Sequence, residues 1–137
     1  DEPRPDHCGT CTACLEACPT SAFVEPKILD ARRCVGYLTV EHRSDIDRGL
    51  RPGVGLMIAG CDICQEVCPW TQRAPADLHP EFAPAARRNR PLLEDLEKLD
   101  EEGYLTWRRG SPLNRISYEQ FRRNLQVVRE NFGRKTG

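Results

Sequence analysis

Apolar positions recur with a helical period only in the C-terminal part of the chain. Phe121, Leu125, Val128 and Phe132 fall on one side of a helix. Ser117 and Gln120 make the capping box that opens it, and Gly133 is expected to stop it. Upstream, the segment from Leu92 to Leu99 sets leucines on one face of a shorter helix with Pro91 at its start. Asp100 is placed to cap a further turn from Glu101 to Trp107.

The first half shows no such period. Ala22 to Asp30 predicts a short hairpin, after which Asp30 caps a turn from Ala31 to Cys34. Residues 35–60 are rich in aromatic, β-branched and glycine residues. Long loops of this kind are usually functional, so this one is read as a surface that meets a cofactor or another domain. A loop packed on its own module is the other reading. Residues 73–91 carry Pro75, Pro80, Pro84 and Pro91 and read as a linker. Residues 1–7 read as an extended lead-in, because Pro3 and Pro5 block a helix. The opening is expected to belong to a longer protein.

The cysteines change this picture most. Cys8, Cys11, Cys14 and Cys18 with Pro19 give C-x2-C-x2-C-x3-C-P, and Cys61, Cys64 and Cys68 with Pro69 give C-x2-C-x3-C-P. Cys34 stands between them and completes a set of eight. The first run is that of a [4Fe–4S] site whose fourth cysteine ligates the neighbouring cluster. By that crossing, Cys8, Cys11, Cys14 and Cys68 hold one cluster, and Cys18, Cys34, Cys61 and Cys64 hold the second. Pro19 and Pro69 are expected to end the turns that carry the crossing cysteines. A minimal module needs only about two residues between the displaced ligand and its motif, so residues 35–60 are a long insertion. The hairpin is expected beside the first cluster, where its apolar residues exclude water.

Two rivals are weaker. Four disulfides would need partners two residues apart to pair and a secretory leader, which is not expected here. Zinc knuckles bring two thiolates each, not three in succession followed by Cys-Pro. Cluster thiolates must stay unoxidised, which points to a reducing cytoplasm. His7 abuts Cys8 and has two readings, a residue that tunes that cluster and a solvated loop histidine with no partner, of which the second is favoured.

Charge adds one feature. The formal net charge is −1, but its distribution is uneven. Glu94 to Glu102 holds six acids against Lys98 alone. From Arg108 on, Arg108, Arg109, Arg115, Arg122, Arg123, Arg129, Arg134 and Lys135 face only Glu119 and Glu130. Such an excess attracts a polyanion such as RNA, and arginine-rich helix faces are also ordinary solvated surfaces. No apolar run approaches the ~20 residues of a membrane span. Glu41 and His42 form an adjacent acid–base pair. No nucleophile system is visible, so the residues alone describe a one-electron relay whose substrate chemistry lies elsewhere. The fold expected is α+β: a bacterial-type ferredoxin-like module with two [4Fe–4S] clusters and a long insertion over residues 1–75, then a short helical extension over 76–137.

The run from Cys8 to Thr20, Leu29 to Cys34, Tyr37-Leu38-Thr39-Val40-Glu41-His42, Gly60 to Trp70, and Gly110-Ser111-Pro112 through Leu125 resemble epoxyqueuosine reductase over nearly the whole chain. The likeness covers only the C-terminal, ferredoxin-containing portion of that family. It implies a cobalamin-binding N-terminal region, with its catalytic acid, outside this chain, and hence no catalytic residue within it. It further implies reduction of epoxyqueuosine at the tRNA wobble position in the last step of queuosine synthesis. Cobalamin would be met by Gly36 and by the Cys61–Asp62 corner, beside the second cluster. The basic tail would face the anticodon region of tRNA, an external protein would supply electrons, and the enzyme would be a cytoplasmic monomer. Gly36 stands where many relatives carry serine, and Thr71 where asparagine is common. Two other classes fit the cysteines: a stand-alone or subunit ferredoxin-type electron carrier, and a cobalamin-dependent reductive dehalogenase.

Overall fold

The computed structural model describes residue 2, residues 6–74 and residues 91–135, the last two as backbone only. The lead-in around Pro3 and Pro5, the linker from Pro75 through Pro84, and the side chains of Arg134 and Lys135 lie outside the described residues.

The elements run in the order α1 (Ala13–Ala17), β1 (Phe23–Glu25), β2 (Ile28–Leu29), a 3-10 turn (Ala31–Arg33), α2 (Val35–Val40), α3 (Arg51–Val54), α4 (Ile63–Glu66), α5 (Pro69–Gln72), α6 (Leu93–Glu97), α7 (Glu101–Arg108), a second 3-10 turn (Pro112–Arg115) and α8 (Tyr118–Lys135). β1 and β2 form an antiparallel hairpin that pairs Phe23 with Leu29 and Glu25 with Ile28. Short helices and one small sheet make the fold α+β.

Several local expectations hold. Asp30 accepts from the Arg32 N–H, and Asp100 accepts from the Gly103 N–H. The Ser117–Gln120 box is closed in both directions, at 3.0 and 3.3 Å. Others need correction. Pro69 opens α5 at its first turn, where the missing N–H costs no helical bond. Gly133 lies inside α8, which runs on to Lys135. A stopping glycine takes a left-handed φ, and Gly133 is not among the residues that do. Phe132 is 47 % exposed, so the buried stripe ends before it. The leucine helix is shorter than the repeat suggested, with Leu92 67 % exposed at its cap.

The insertion contains two helices that its sequence did not announce. α2 and α3 send Val35, Leu38 and Val54 into a core with Ile46 and with Val127 of α8. A second core joins Leu96, Tyr104, Ile116, Phe121 and Leu125. Tyr104 stacks on Phe121 with centroids 4.2 Å apart, and its hydroxyl donates to the Ile116 carbonyl at 2.9 Å. α8 thus borders both cores and is the hub of the C-terminal half.

One stripe of α8 is polar and buried. Gln120, Asn124 and Asn131 are 2, 0 and 5 % exposed. Each amide reaches backbone carbonyls of the insertion: Gln120 those of Val40 and His42, Asn124 those of Thr39 and Ile58, and Asn131 those of Arg51 and Gly55. Arg123 adds bonds to Leu38, His42 and Ser44. These carbonyls have few helical partners, since α2 and α3 are too short to supply them, and the amides satisfy that deficit.

Candidate metal centre

The cysteines sit at the ends of short helices. Cys11 closes a turn on Cys8, its N–H donating to the Cys8 carbonyl at 3.0 Å. Gly9 inside that turn has φ +53°, a conformation that favours glycine. Cys14 lies on α1, with Cys18 just past its end. Cys34 precedes α2, Cys64 lies on α4 and Cys68 precedes α5. All eight are free thiols, with none paired as a disulfide.

Cys18, Cys34, Cys61 and Cys64 line one cavity of about 80 Å³ together with Phe23, Leu29 and Ile63. Burial first, and then the charges of Cys34, Cys64 and Cys18, push the Cys61 thiol up. The neighbours that Cys61 feels are therefore the other three members of the second set. Burial also acts on Cys18, but N–H groups of Ala22, Thr20 and Phe23 outweigh it and lower that thiol. The Ala22 N–H is 3.2 Å from the Cys18 sulfur. Phe23 and Leu29 show that the hairpin shields this second site, a correction to its expected place beside the first. The reason is the chain direction after Pro19, which carries β1 along the Cys18 side.

Cys14 is pushed up by burial first and then by the charges of Cys64, Cys11 and Cys8, so three cysteines of the first motif lie near one another, with Cys64 adjoining them. Cys8 and Cys11 are exposed. The segments after Cys68 and before Cys8 are clasped together: Trp70 Nε1 donates to the His7 carbonyl at 3.0 Å and the two rings lie 5.1 Å apart. His7 thus has a partner, against the expectation that it had none. Cys68 itself is lowered by hydrogen bonds from the Thr71 and Trp70 N–H groups and the Thr71 hydroxyl. Thr71, through both its N–H and its hydroxyl, therefore acts on the Cys68 sulfur.

Among the described residues no three His, Cys, Asp or Glu side chains are placed to share a single metal ion. The cavity that Cys18, Cys34, Cys61 and Cys64 line together offers four thiols to one bound group.

Gly36 belongs to the same corner. A Cβ there would lie 3.7 Å from the Cys34 sulfur and 3.9 Å from the Cys61 nitrogen. Asp62 follows on the surface, and an open cavity of about 510 Å³ runs from Gly60 and Asp62 over Leu96, Tyr104 and Trp107. The structure therefore brings Gly36, Cys61 and Asp62 to one place. Glu41 and His42 are engaged elsewhere: Glu41 pairs with Arg115, and His42 Nε2 contacts the Ser44 hydroxyl and the Asp45 carbonyl at 3.0 and 3.1 Å.

The basic tail is largely tied to the fold. Arg108 donates to the Asn114 and Ile116 carbonyls, Arg122 to the Glu97 carbonyl, and Arg129 pairs with the Glu97 carboxylate. Burial lowers Arg123 from its ordinary value. Missed from the sequence are Gly53, Asn124 and Asn131, and the tertiary bonds of Thr39 and Gln120. Those partners lie 21 to 85 positions away, and only the YLTVEH run and the capping box offered any signal. Among the described residues no helix is long and apolar enough to cross a membrane.

Residues 7–71 match the family described as a 4Fe-4S double cluster binding domain. The epoxyqueuosine reductase of Pseudomonas aeruginosa is 47 % identical over 122 residues, which are 89 % of this chain and 34 % of that protein. That of Alicycliphilus denitrificans is 43 % identical over 135 residues, 98 % of this chain and 38 % of the relative. A Bacillus subtilis epoxyqueuosine reductase structure superposes with a TM-score of 0.82 at 34 % identity, over 96 % of this chain and 35 % of that one. An epoxyqueuosine reductase solved with an epoxyqueuosine-modified tRNA-Tyr stem loop gives 0.81 at 32 % identity, with the same coverage. The chain spans little more than a third of the length of these relatives. Over 89 to 98 % of its own length, the chain is similar to a portion of epoxyqueuosine reductases.

Proposed function

We propose that this chain is the electron-transfer portion of an epoxyqueuosine reductase. Cys8, Cys11, Cys14 and Cys68 hold one [4Fe–4S] cluster, and Cys18, Cys34, Cys61 and Cys64 hold the other. Residues 1–75 form the cluster module and 76–137 its helical extension. The observation that carries the reading is the second cysteine set lining a single cavity, with a larger open cavity at its Cys61–Asp62 edge. The first set, with Cys8 and Cys11 exposed, receives electrons from an external reductant protein, and the second, half-buried set passes them on toward the open cavity.

Leu96, Tyr104 and Trp107 line that cavity together with Asp62 and Glu66, and it is read as the place where this chain would meet a corrin ring. Gly36, Cys61 and Asp62 are the residues of this chain that would meet cobalamin, which supplies a strong nucleophile for opening an epoxide. The fit at Gly36 is not steric, because a side chain there would make only ordinary contacts. The substrate is epoxyqueuosine at the tRNA wobble position, reduced to the alkene with loss of the oxygen as water. The exposed Arg115, Arg122 and Arg129 leave a basic surface for the anticodon region, as one relative was solved with a tRNA stem loop. The protein acts in the cytoplasm as a monomer.

The test uses the intact protein, loaded anaerobically with iron, sulfide and cobalamin and given a reductant and epoxyqueuosine-containing tRNA. Digestion and mass analysis should show a nucleoside lighter by one oxygen, dependent on cobalamin. Unchanged nucleoside from fully loaded protein would reject the reductase reading and return the module to the ferredoxin or dehalogenase class.

A further inference from the structure

Two buried side chains outside the cysteine motifs tie together the backbones that carry Cys34 and Cys61. Thr39 and Asn124 are both 0 % exposed. The Thr39 hydroxyl donates to the Val35 carbonyl at 2.8 Å, and Val35 directly follows Cys34. The same oxygen accepts from the Gly60 N–H at 3.0 Å, and Gly60 directly precedes Cys61. One hydroxyl therefore spans the gap between the neighbours of two cysteines far apart in sequence. Asn124 backs this link from α8. Its Nδ2 donates to the Thr39 and Ile58 carbonyls, both at 2.8 Å, while its Oδ1 accepts from Arg123 at 3.1 and 2.8 Å. The amide is thereby fixed in orientation, and it holds the Gly60 turn from behind.

We infer that Thr39 and Asn124 are positioning residues that set the separation of the Cys34 and Cys61 thiolates and so the reduction potential of the second cluster. The inference rests on the ligand sets proposed above. Gly60 has φ +78° and a Cβ there would meet nothing within 4 Å, so the turn that delivers Cys61 is held by the Thr39 and Asn124 bonds. The open cavity lies directly against Gly60 and Cys61. Loosening the turn admits water to the cluster edge, and water stabilises the more negative, reduced cluster. Solvent exposure and outer hydrogen bonds are recognised levers on cluster potential.

The test is a redox titration of the intact protein followed by electron paramagnetic resonance, with both clusters loaded. Cys34→Ser first identifies the signal of the second cluster as the one it removes or alters. Thr39→Val keeps the shape and deletes the hydroxyl; it should raise the potential of that signal alone, or cause selective loss of that cluster. Thr39→Ser should restore it. If Thr39→Val does not fold, Asn124→Gln, which keeps the amide but displaces it by one methylene, is judged by the same titration. An unchanged second potential, or an equal shift of both clusters, would overturn the positioning role and leave Thr39 as a merely satisfied core residue. If Cys34→Ser leaves both clusters intact, the ligand assignment fails instead, and the two failures are told apart.

Discussion

Two glycines near the cysteines carry opposite demands. A Cβ on Gly53 would meet the Pro19 carbonyl oxygen and Thr20 Cγ2, both at 2.6 Å. Pro19 follows Cys18, so α3, the second helix of the insertion, presses on the backbone just after a proposed cluster ligand. Alanine in place of a helical glycine ordinarily gains about 0.5–1 kcal/mol. Here the overpacking term of about 1–3 kcal/mol wins, because backbone must move. Gly53→Ala is therefore expected to destabilise the protein in anaerobic urea titration and to loosen the Cys18 cluster. Gly36→Ser should be tolerated, since its Cβ meets only ordinary contacts; a melting temperature close to the parent's would confirm this. The cysteine pattern was legible because it repeats at fixed short intervals. Gly53 was not, because its reason is a neighbour more than thirty residues upstream.

At the scale of elements, α8 was half legible. Its cap and its apolar face follow from the sequence, but the buried amides do not. A stripe reading sends every polar residue to solvent, and only the short, under-bonded α2 and α3 explain why Gln120, Asn124 and Asn131 turn inward. α2 and α3 were themselves invisible, as four to six residues cannot display a period. The capping box gives a graded prediction. Ser117→Ala should cost about 1 kcal/mol through the lost cap. Gln120→Ala removes the reciprocal cap and also strands the Val40 carbonyl and Arg43, while the His42 carbonyl keeps its bond from Arg123, so it should cost about 2–3 kcal/mol, each buried unsatisfied group adding about 1–3. Equal denaturation midpoints for the two variants would show that the amide does no more than cap.

At the scale of the whole molecule, the two halves are held by different means. α1, α4 and α5 bury no residue, whereas both apolar cores abut α8. In such a module the free energy of metal binding is free energy of folding, and the clusters take the place of a core. Stripping the iron with a chelator under anaerobic conditions should abolish amide protection over residues 8–18 and 61–68 while sparing Tyr104, Phe121 and Leu125. Hydrogen exchange with mass spectrometry reads this directly, and uniform loss would mean that the helical half also depends on iron.

The link from Asn124 to the Thr39–Gly60 bridge also orders events in time. A ribosome makes Cys34 and Cys61 well before it makes residue 124, and at about 5–20 residues per second the interval is several seconds. During it the second thiolate set has all four sulfurs but lacks the helix that steadies their spacing. Assembly factors that deliver iron to the nascent chain would meet a complete but unsteadied second site, so its final geometry is expected only after the C-terminal helix has left the exit tunnel and docked.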